Sequence, residues 1–214
     1  MKVISLLIFV VATSIHLFAS LQKNKKLRNY TKPFILTSLM LLYMSNSTDI
    51  RPTIILALLF SWIGDLLLMP DGIKWFTMGG ISFMISHFFF ILGYLKDITF
   101  SKMNSMIVII LGCFFIVVVS FIFSKLKKHL PKQLFYPMYL YLLINGAMNC
   151  FAIYRMISNV NSATITTCIG AILFFISDSA LFFVRFDKTS VLKTHFLVML
   201  TYSVGELLIV LGLR

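Results

Sequence analysis

The sequence predicts an all-α integral membrane protein, a bundle of about eight transmembrane helices. Three observations carry that reading. The chain is 59% hydrophobic and only 12% charged, against about 25% charged residues in a soluble domain. Apolar segments of spanning length, about 20 residues, recur from one end of the chain to the other. The connections between them are short, which favours antiparallel neighbours in a bundle. Runs such as HFFFILGYL are apolar on every face, so the two-residue alternation of a membrane barrel is absent. No stretch is left over for a soluble domain, and residues 1–214 read as a single polytopic membrane domain.

Taken in order, the first predicted span covers residues 3–20. It begins like a signal peptide, with Lys2 before an apolar run. The run is long for such a segment and ends without a small-x-small cleavage site, so it reads as an uncleaved first helix. The second span, 34–48, is the shortest. The third, 52–69, runs into Met69-Pro70, and Asp71-Gly72 then supplies a tight turn. The fourth and fifth are 75–95 and 104–124. Pro131 and Pro137 bracket the entry to the sixth, 134–155, with Pro137 in the first turn, where proline is tolerated. The seventh and eighth are 163–185 and 191–212. Gly79, Gly80, Gly146, Gly170 and Gly205 read as points of close helix approach.

A net charge of +12 invites a nucleic-acid reading, but its distribution points to a membrane. Thirteen of the 19 Lys and Arg residues fall at alternate connections: Lys23, Lys25, Lys26, Arg28, Lys32, Lys74, Lys125, Lys127, Lys128, Lys132, Arg185, Lys188 and Lys193. The other side receives six: Lys2, Arg51, Lys96, Lys102, Arg155 and Arg214. The positive-inside rule makes the richer side cytoplasmic and both termini non-cytoplasmic, in the cell membrane if the host is bacterial. The basic loops suit anionic lipid headgroups, and no nucleic-acid partner is expected. The cysteines Cys113, Cys150 and Cys168 are scattered within helices, without metal-binding spacing. No cofactor or metal is expected, and the sequence is silent on oligomeric state.

Three of the seven acids lie inside predicted spans: Asp65, Asp178 and Glu206. No Lys or Arg lies at comparable depth in those spans, so the three are expected to lack a cation. A charge at mid-bilayer costs about 2.5–3.5 kcal/mol on insertion scales, and such residues usually face the bundle interior and act there. Counted from the cytoplasmic helix ends at about 1.5 Å per residue, Asp65 is roughly 8 Å deep and Asp178 roughly 10 Å. His87, Asn145, Tyr202 and Glu206 fall deeper, at roughly 16–22 Å. Tyr202 and Glu206, like Asn145 and Asn149, are i,i+4 neighbours on one helix face. Asn145, Asn149 and Tyr202 also suit plain interhelical hydrogen bonding. His16, His129 and His195 read as structural or solvated residues near helix ends.

Two buried carboxyls at one level cannot readily both ionise, so such a pair shares a proton and offers an acid and a base together. There is no G-x-S-x-G nucleophile and no H-E-x-x-H metal helix. What remains is acid–base hydrolysis or proton-coupled transport.

Four segments, SWIGDLLLM, GGISFMISHFFFILGY, IGAILFFISDSALFFVRF and LTYSVGELLIVLG, resemble in order and spacing the YhhN-type membrane family, the lysoplasmalogenases. The resemblance covers about residues 50–214. It implies hydrolysis of the vinyl ether bond of a lysoplasmalogen, a lysophospholipid substrate. The products would be a fatty aldehyde and glycerophosphoethanolamine or glycerophosphocholine. It places Asp65 and Asp178 as the catalytic pair, with His87 and Tyr202 orienting water or the leaving oxygen. Asn145 and Glu206 join the orienting set on their depth. The chain departs from the family pattern at Glu206, where Gln is usual, and at Phe90, where an aromatic hydroxyl is common. The basic rim would take the phosphate and Phe-rich walls the alkyl chain.

Three rivals stand beside it. A proton-coupled transporter would use the same acids as a relay. An intramembrane aspartyl protease would need a glycine where Trp62 stands. A non-catalytic lipid-binding bundle would keep the fold without the activity.

Overall fold

The computed structural model describes residues 2–47, 49–98, 104–187 and 195–214. Eight helices follow one another: α1 Lys2–Leu21, α2 Lys25–Asn46, α3 Pro52–Leu67, α4 Ile73–Leu95, α5 Ser105–Leu126, α6 Phe135–Ser158, α7 Ser162–Phe186 and α8 His195–Gly212. No strand occurs among the described residues. Every predicted span falls on a helix. The first four residues of the span 191–212 and the last of 34–48 lie outside the described residues, as do Lys102, Lys188 and Lys193 of the charge count.

Among the described residues, six helices are long and apolar enough to cross a membrane: α1, α4, α5, α6, α7 and α8. The 16 residues of α3 rise only about 24 Å, less than the roughly 30 Å of a hydrocarbon core. The largest departure from the sequence reading is α2, which starts nine residues before the predicted 34. Asn24 caps it by accepting from the Leu27 amide at 3.1 Å, and the helix runs through Pro33. The apolar pattern marks only the later part of α2. The hydrogen-bonded helix begins earlier, in its basic run.

Local chemistry sets the other ends. Gly72 precedes α4 at φ +123°, a conformation that a side chain would strain, so the predicted Asp71-Gly72 turn depends on it. Asn104 caps α5 by accepting from the amides of Met106 and Ile107. Asn161 and Thr164 form a reciprocal capping box at the start of α7. Pro137 is the third residue of α6, inside its first turn.

Neighbour contacts run α1–α2–α3–α4–α6–α7–α8 and close from α8 onto α1 and α2, while α5 packs outside, chiefly on α6. The alternation is visible in the ion pairs. Lys25, Asp71 and Arg185 meet at one end. At the other, Asp97 pairs with Arg51 at 2.8 Å and Arg155 at 2.7 Å. Arg155 also donates to Thr167 Oγ1 at 2.9 Å and to the Gly212 carbonyl at 3.4 Å. Outward faces of α1 and α5 are apolar and exposed, as at Val3, Ile4, Met106 and Val117, a surface too extensive for water.

The α7–α8 seam is the tightest. A Cβ on Gly170 would meet the Gly205 carbonyl at 2.7 Å, and one on Gly205 would meet the Gly170 carbonyl at 2.9 Å. Gly80 corrects the expectation of close approach: a Cβ there would meet only Tyr141 Cδ2, at 4.0 Å. Gly170→Val is therefore expected to destabilise by about 1–3 kcal/mol through overpacking, read as a lower thermal unfolding midpoint in detergent. Gly112→Ala, on α5 where nothing lies within 4 Å of the added carbon, should leave that midpoint unchanged or raise it. Equal effects at both sites would contradict the seam.

Candidate functional site

Five helices each contribute polar residues to the interior. On α6, Tyr141, Asn145 and Asn149 recur every four residues and so share one face. On α3, Ser61 and Asp65 do the same, as do Tyr202 and Glu206 on α8. His87 on α4 and Asp178 on α7 complete the set, and all of these residues are buried.

Asp178 Oδ2 is the focus of one cluster. The Tyr141 hydroxyl donates to it in a short contact, and Asn145 Nδ2 donates at 2.7 Å. Asn149 Nδ2 donates in turn to Asn145 Oδ1 at 3.1 Å, which fixes the Asn145 amide with its nitrogen toward Asp178. His87 Nε2 stands 3.4 Å from the same oxygen, an electrostatic contact whose geometry falls short of a hydrogen bond. His87 Nδ1 lies 2.5 Å from the Phe83 carbonyl. That carbonyl can only accept, so Nδ1 carries a hydrogen. His87 Nε2 and the Asp178 carboxyl thus face each other at contact distance.

Asp65 is the focus of a second cluster. Tyr202 donates to its Oδ2 at 2.9 Å. Lys32 Nζ pairs with Oδ1 at 3.0 Å, both side chains being largely shielded from water, and also donates to the Asp65 carbonyl at 3.2 Å. This overturns the expectation that the membrane acids lack a cation. Lys32 lies seven residues into α2, about 10 Å from its start, close to the depth counted for Asp65. The bonded carbonyl is one of the last four of α3, which have no partner within their own helix. Lys32 therefore both neutralises the acid and caps α3, where a cation also complements the helix dipole. Trp62 Nε1 donates to the Pro33 carbonyl at 3.0 Å and fixes the α2–α3 register that brings them together.

Asp65 and Asp178 line one cleft, of about 250 Å³, with Lys32 and Tyr202. Each carboxyl has its own set of partners, so the cleft holds two differently equipped acids. Phe174 bridges the clusters, its ring centroid 5.3 Å from that of Tyr202 and 5.0 Å from that of His87. The cleft mouth is basic, with Lys25, Arg28 and Arg185. Asp71 there is held below the ordinary carboxylate range by its hydrogen bond to Lys25. His16 and His195 also line the cleft, and His16 is buried with its Nδ1 2.9 Å from the Thr31 hydroxyl. His87 and Asn145 reach the cleft only through Asp178.

Glu206 is not brought to it. The residue is fully buried, and its carboxyl oxygens have no hydrogen-bond partner among the described residues, although Ser61 lies beside it. Ser61 is itself hydrogen-bonded to Ser86 at 2.8 Å. Among the described residues no three His, Cys, Asp or Glu side chains gather for a metal. Sequence reasoning missed Lys32 and Tyr141. The spacing of Tyr141 from Asn145 and Asn149 carried its signal, whereas hydropathy alone set Lys32 in a loop.

The family model described as the YhhN family matches residues 27–213, nearly the whole chain. No curated protein and no solved structure matches.

Breaking a buried ion pair from one side typically costs about 3–5 kcal/mol. Lys32→Met is expected to lower stability on that scale, and adding Asp65→Asn should restore most of the loss. Thermal unfolding of both variants in detergent checks this, and additive losses would show that the pair does not couple.

Proposed function

We propose a function from one premise: the chain belongs to the YhhN family. The proposed reaction is hydrolysis of the vinyl ether bond of a lysoplasmalogen, releasing a fatty aldehyde and a glycerophospho-alcohol. The observation that carries it is a single cleft with two acids in different states of partnership. One accepts from Tyr141 and Asn145 beside His87, and the other is ion-paired to Lys32.

The chemistry follows from that difference. Asp178, in its protonated form, delivers its proton to the β-carbon of the vinyl ether as a general acid. The π electrons form the new C–H bond, and the ether oxygen shares its lone pair to give an oxocarbenium ion. The Asp65 carboxylate faces that cation and directs water to it, in the manner of the second carboxylate of a glycosidase. As water adds, its proton passes to a carboxylate of the cleft. The hemiacetal then gives its hydroxyl proton to the base and its C–O bond breaks. Aldehyde leaves, and the glycerol oxygen takes up a proton. Tyr141 and Asn145 hold the Asp178 carboxyl, and Tyr202 holds Asp65. The basic mouth of Lys25, Arg28 and Arg185 suits the phosphate.

In this reading the bundle lies within the bilayer, with six helices of spanning length and α2 and α3 packed among them. The basic end faces the cytoplasm by the positive-inside rule, and both termini lie on the opposite side. The substrate then reaches the cleft from the cytoplasmic leaflet.

Asp178→Asn is expected to lower aldehyde release from lysoplasmalogen by about 10²–10⁴-fold, the usual worth of a general acid. Asp65→Asn should lower it by at least about 10²-fold. Purified protein in detergent, assayed for aldehyde with unfolding midpoints measured in parallel, tests both. Full activity in well-folded Asp178→Asn protein would sink the assignment.

A further inference from the structure

Two apolar depressions mark the helix surface, and only one meets the cleft. The first lies between α4, α6 and α7 and is lined by Gly80, Ile81, Met84, Pro137, Met138 and Asp178 among others. It shares Leu68, Phe76, Phe83, Asp178 and Leu181 with the cleft, so Asp178 stands where the two spaces join. The second lies on the outer face of α1 and α2, around Leu7, Val11 and Phe34, and contains neither acid.

Resting on the lysolipid reading above, we propose that the groove between α4, α6 and α7 holds the hydrocarbon chain of a single-chain lipid. Gly80 keeps that channel open. The polar cleft takes the headgroup of the same molecule, and the chain leaves sideways into the bilayer.

Continuity and complementarity select this occupant. A lysophospholipid has an anionic head, and the cleft mouth is basic. It has one apolar tail, and the groove walls are almost wholly apolar. The outer edge meets hydrocarbon, since Ile81 is 46% exposed and Met78, Ile85 and Leu140 beside it are exposed as well. The interior space is small, about 40 Å³, so a chain seated there lies along a shallow, open-sided groove. Met84 and Met138 line it, and methionine adjusts readily to an irregular occupant.

Gly80 fits no packing role. Gly79 beside it is filled against Leu68, where a Cβ would come within 2.8 Å. A side chain at 80 enters the groove instead. Alanine fits there without displacing a neighbour, and a leucine occupies the channel.

The test uses a lysolipid whose alkyl chain carries a diazirine and whose linkage is a saturated ether, so that binding is read without turnover. Photolabelling of the full-length protein in detergent, mapped by mass spectrometry, should place adducts on residues 80–84 and 137–141. Gly80→Leu should lower labelling there at least about fivefold with its unfolding midpoint unchanged, and Gly80→Ala should label like the parent. Adducts confined to the α1–α2 face, or equal labelling in well-folded Gly80→Leu protein, overturn the inference. Parallel assays of the parent on the vinyl ether lysolipid separate the two claims. Aldehyde release without groove adducts removes the groove and leaves the reaction. Groove adducts without aldehyde release remove the reaction and leave the groove.

Discussion

A carboxylate held in hydrocarbon must find a cation or a proton, and the two acids of this cleft meet that demand differently. Asp65 finds Lys32. Much of the local architecture follows from the pairing. α2 has to be helical through its basic start to bring Lys32 to the right height, and it has to tolerate Pro33 inside the helix. α3 has to stop near Asp65, so that the same ammonium can take an end carbonyl. The Trp62–Pro33 contact holds the register on which both bonds depend. A buried pair is weak evidence for net stability, because desolvation offsets much of the attraction. Its value here is positional: it fixes a charged acid against the cleft without leaving a bare charge in the membrane.

Asp178 takes the other course. Its oxygen gathers a phenol, an amide and an imidazole, and the imidazole is oriented from behind by the Phe83 carbonyl. These donors come from α4 and α6, while Asp178 is on α7. On the same helix, Ser177 donates to the Val198 carbonyl at 2.8 Å and the Gly170–Gly205 seam lies two turns away. That seam joins α7 firmly to α8, which carries Tyr202 and thereby the second acid's hydrogen bond. Preorganised donors of this kind cost little rearrangement when charge develops. One acid held by neutral donors and one held by a cation form a more asymmetric arrangement than two carboxyls facing each other.

Much of the fold was legible because membranes impose a coarse code. Apolar length located all eight helices, and alternating charge anticipated which ends lie together. Asp65, Asp178, His87, Asn145 and Tyr202 stood out as polar groups where hydrocarbon penalises them, and the structure places them in two adjoining clusters. Glu206 stood out on the same ground and does not line the cleft. Lys32 was hidden because hydropathy reports contact with lipid, whereas its position depends on a helix that continues past the apolar run. Gly80 was hidden because its composition signal is identical to that of Gly79, and only the three-dimensional neighbours separate a packed glycine from an open one.

The far end of the bundle has its own consequence. Asp97 ties Arg51 to Arg155, and Arg155 reaches across to the last turn of α8. No residue of this cluster lines the cleft. Among the described residues the cleft reaches the basic end and not this one. On the proposed reaction, a lipid severed in the cleft would be sorted by phase: the water-soluble fragment would return through the charged mouth, and the oily fragment would slip sideways into the leaflet. The two products would not have to queue for a common exit.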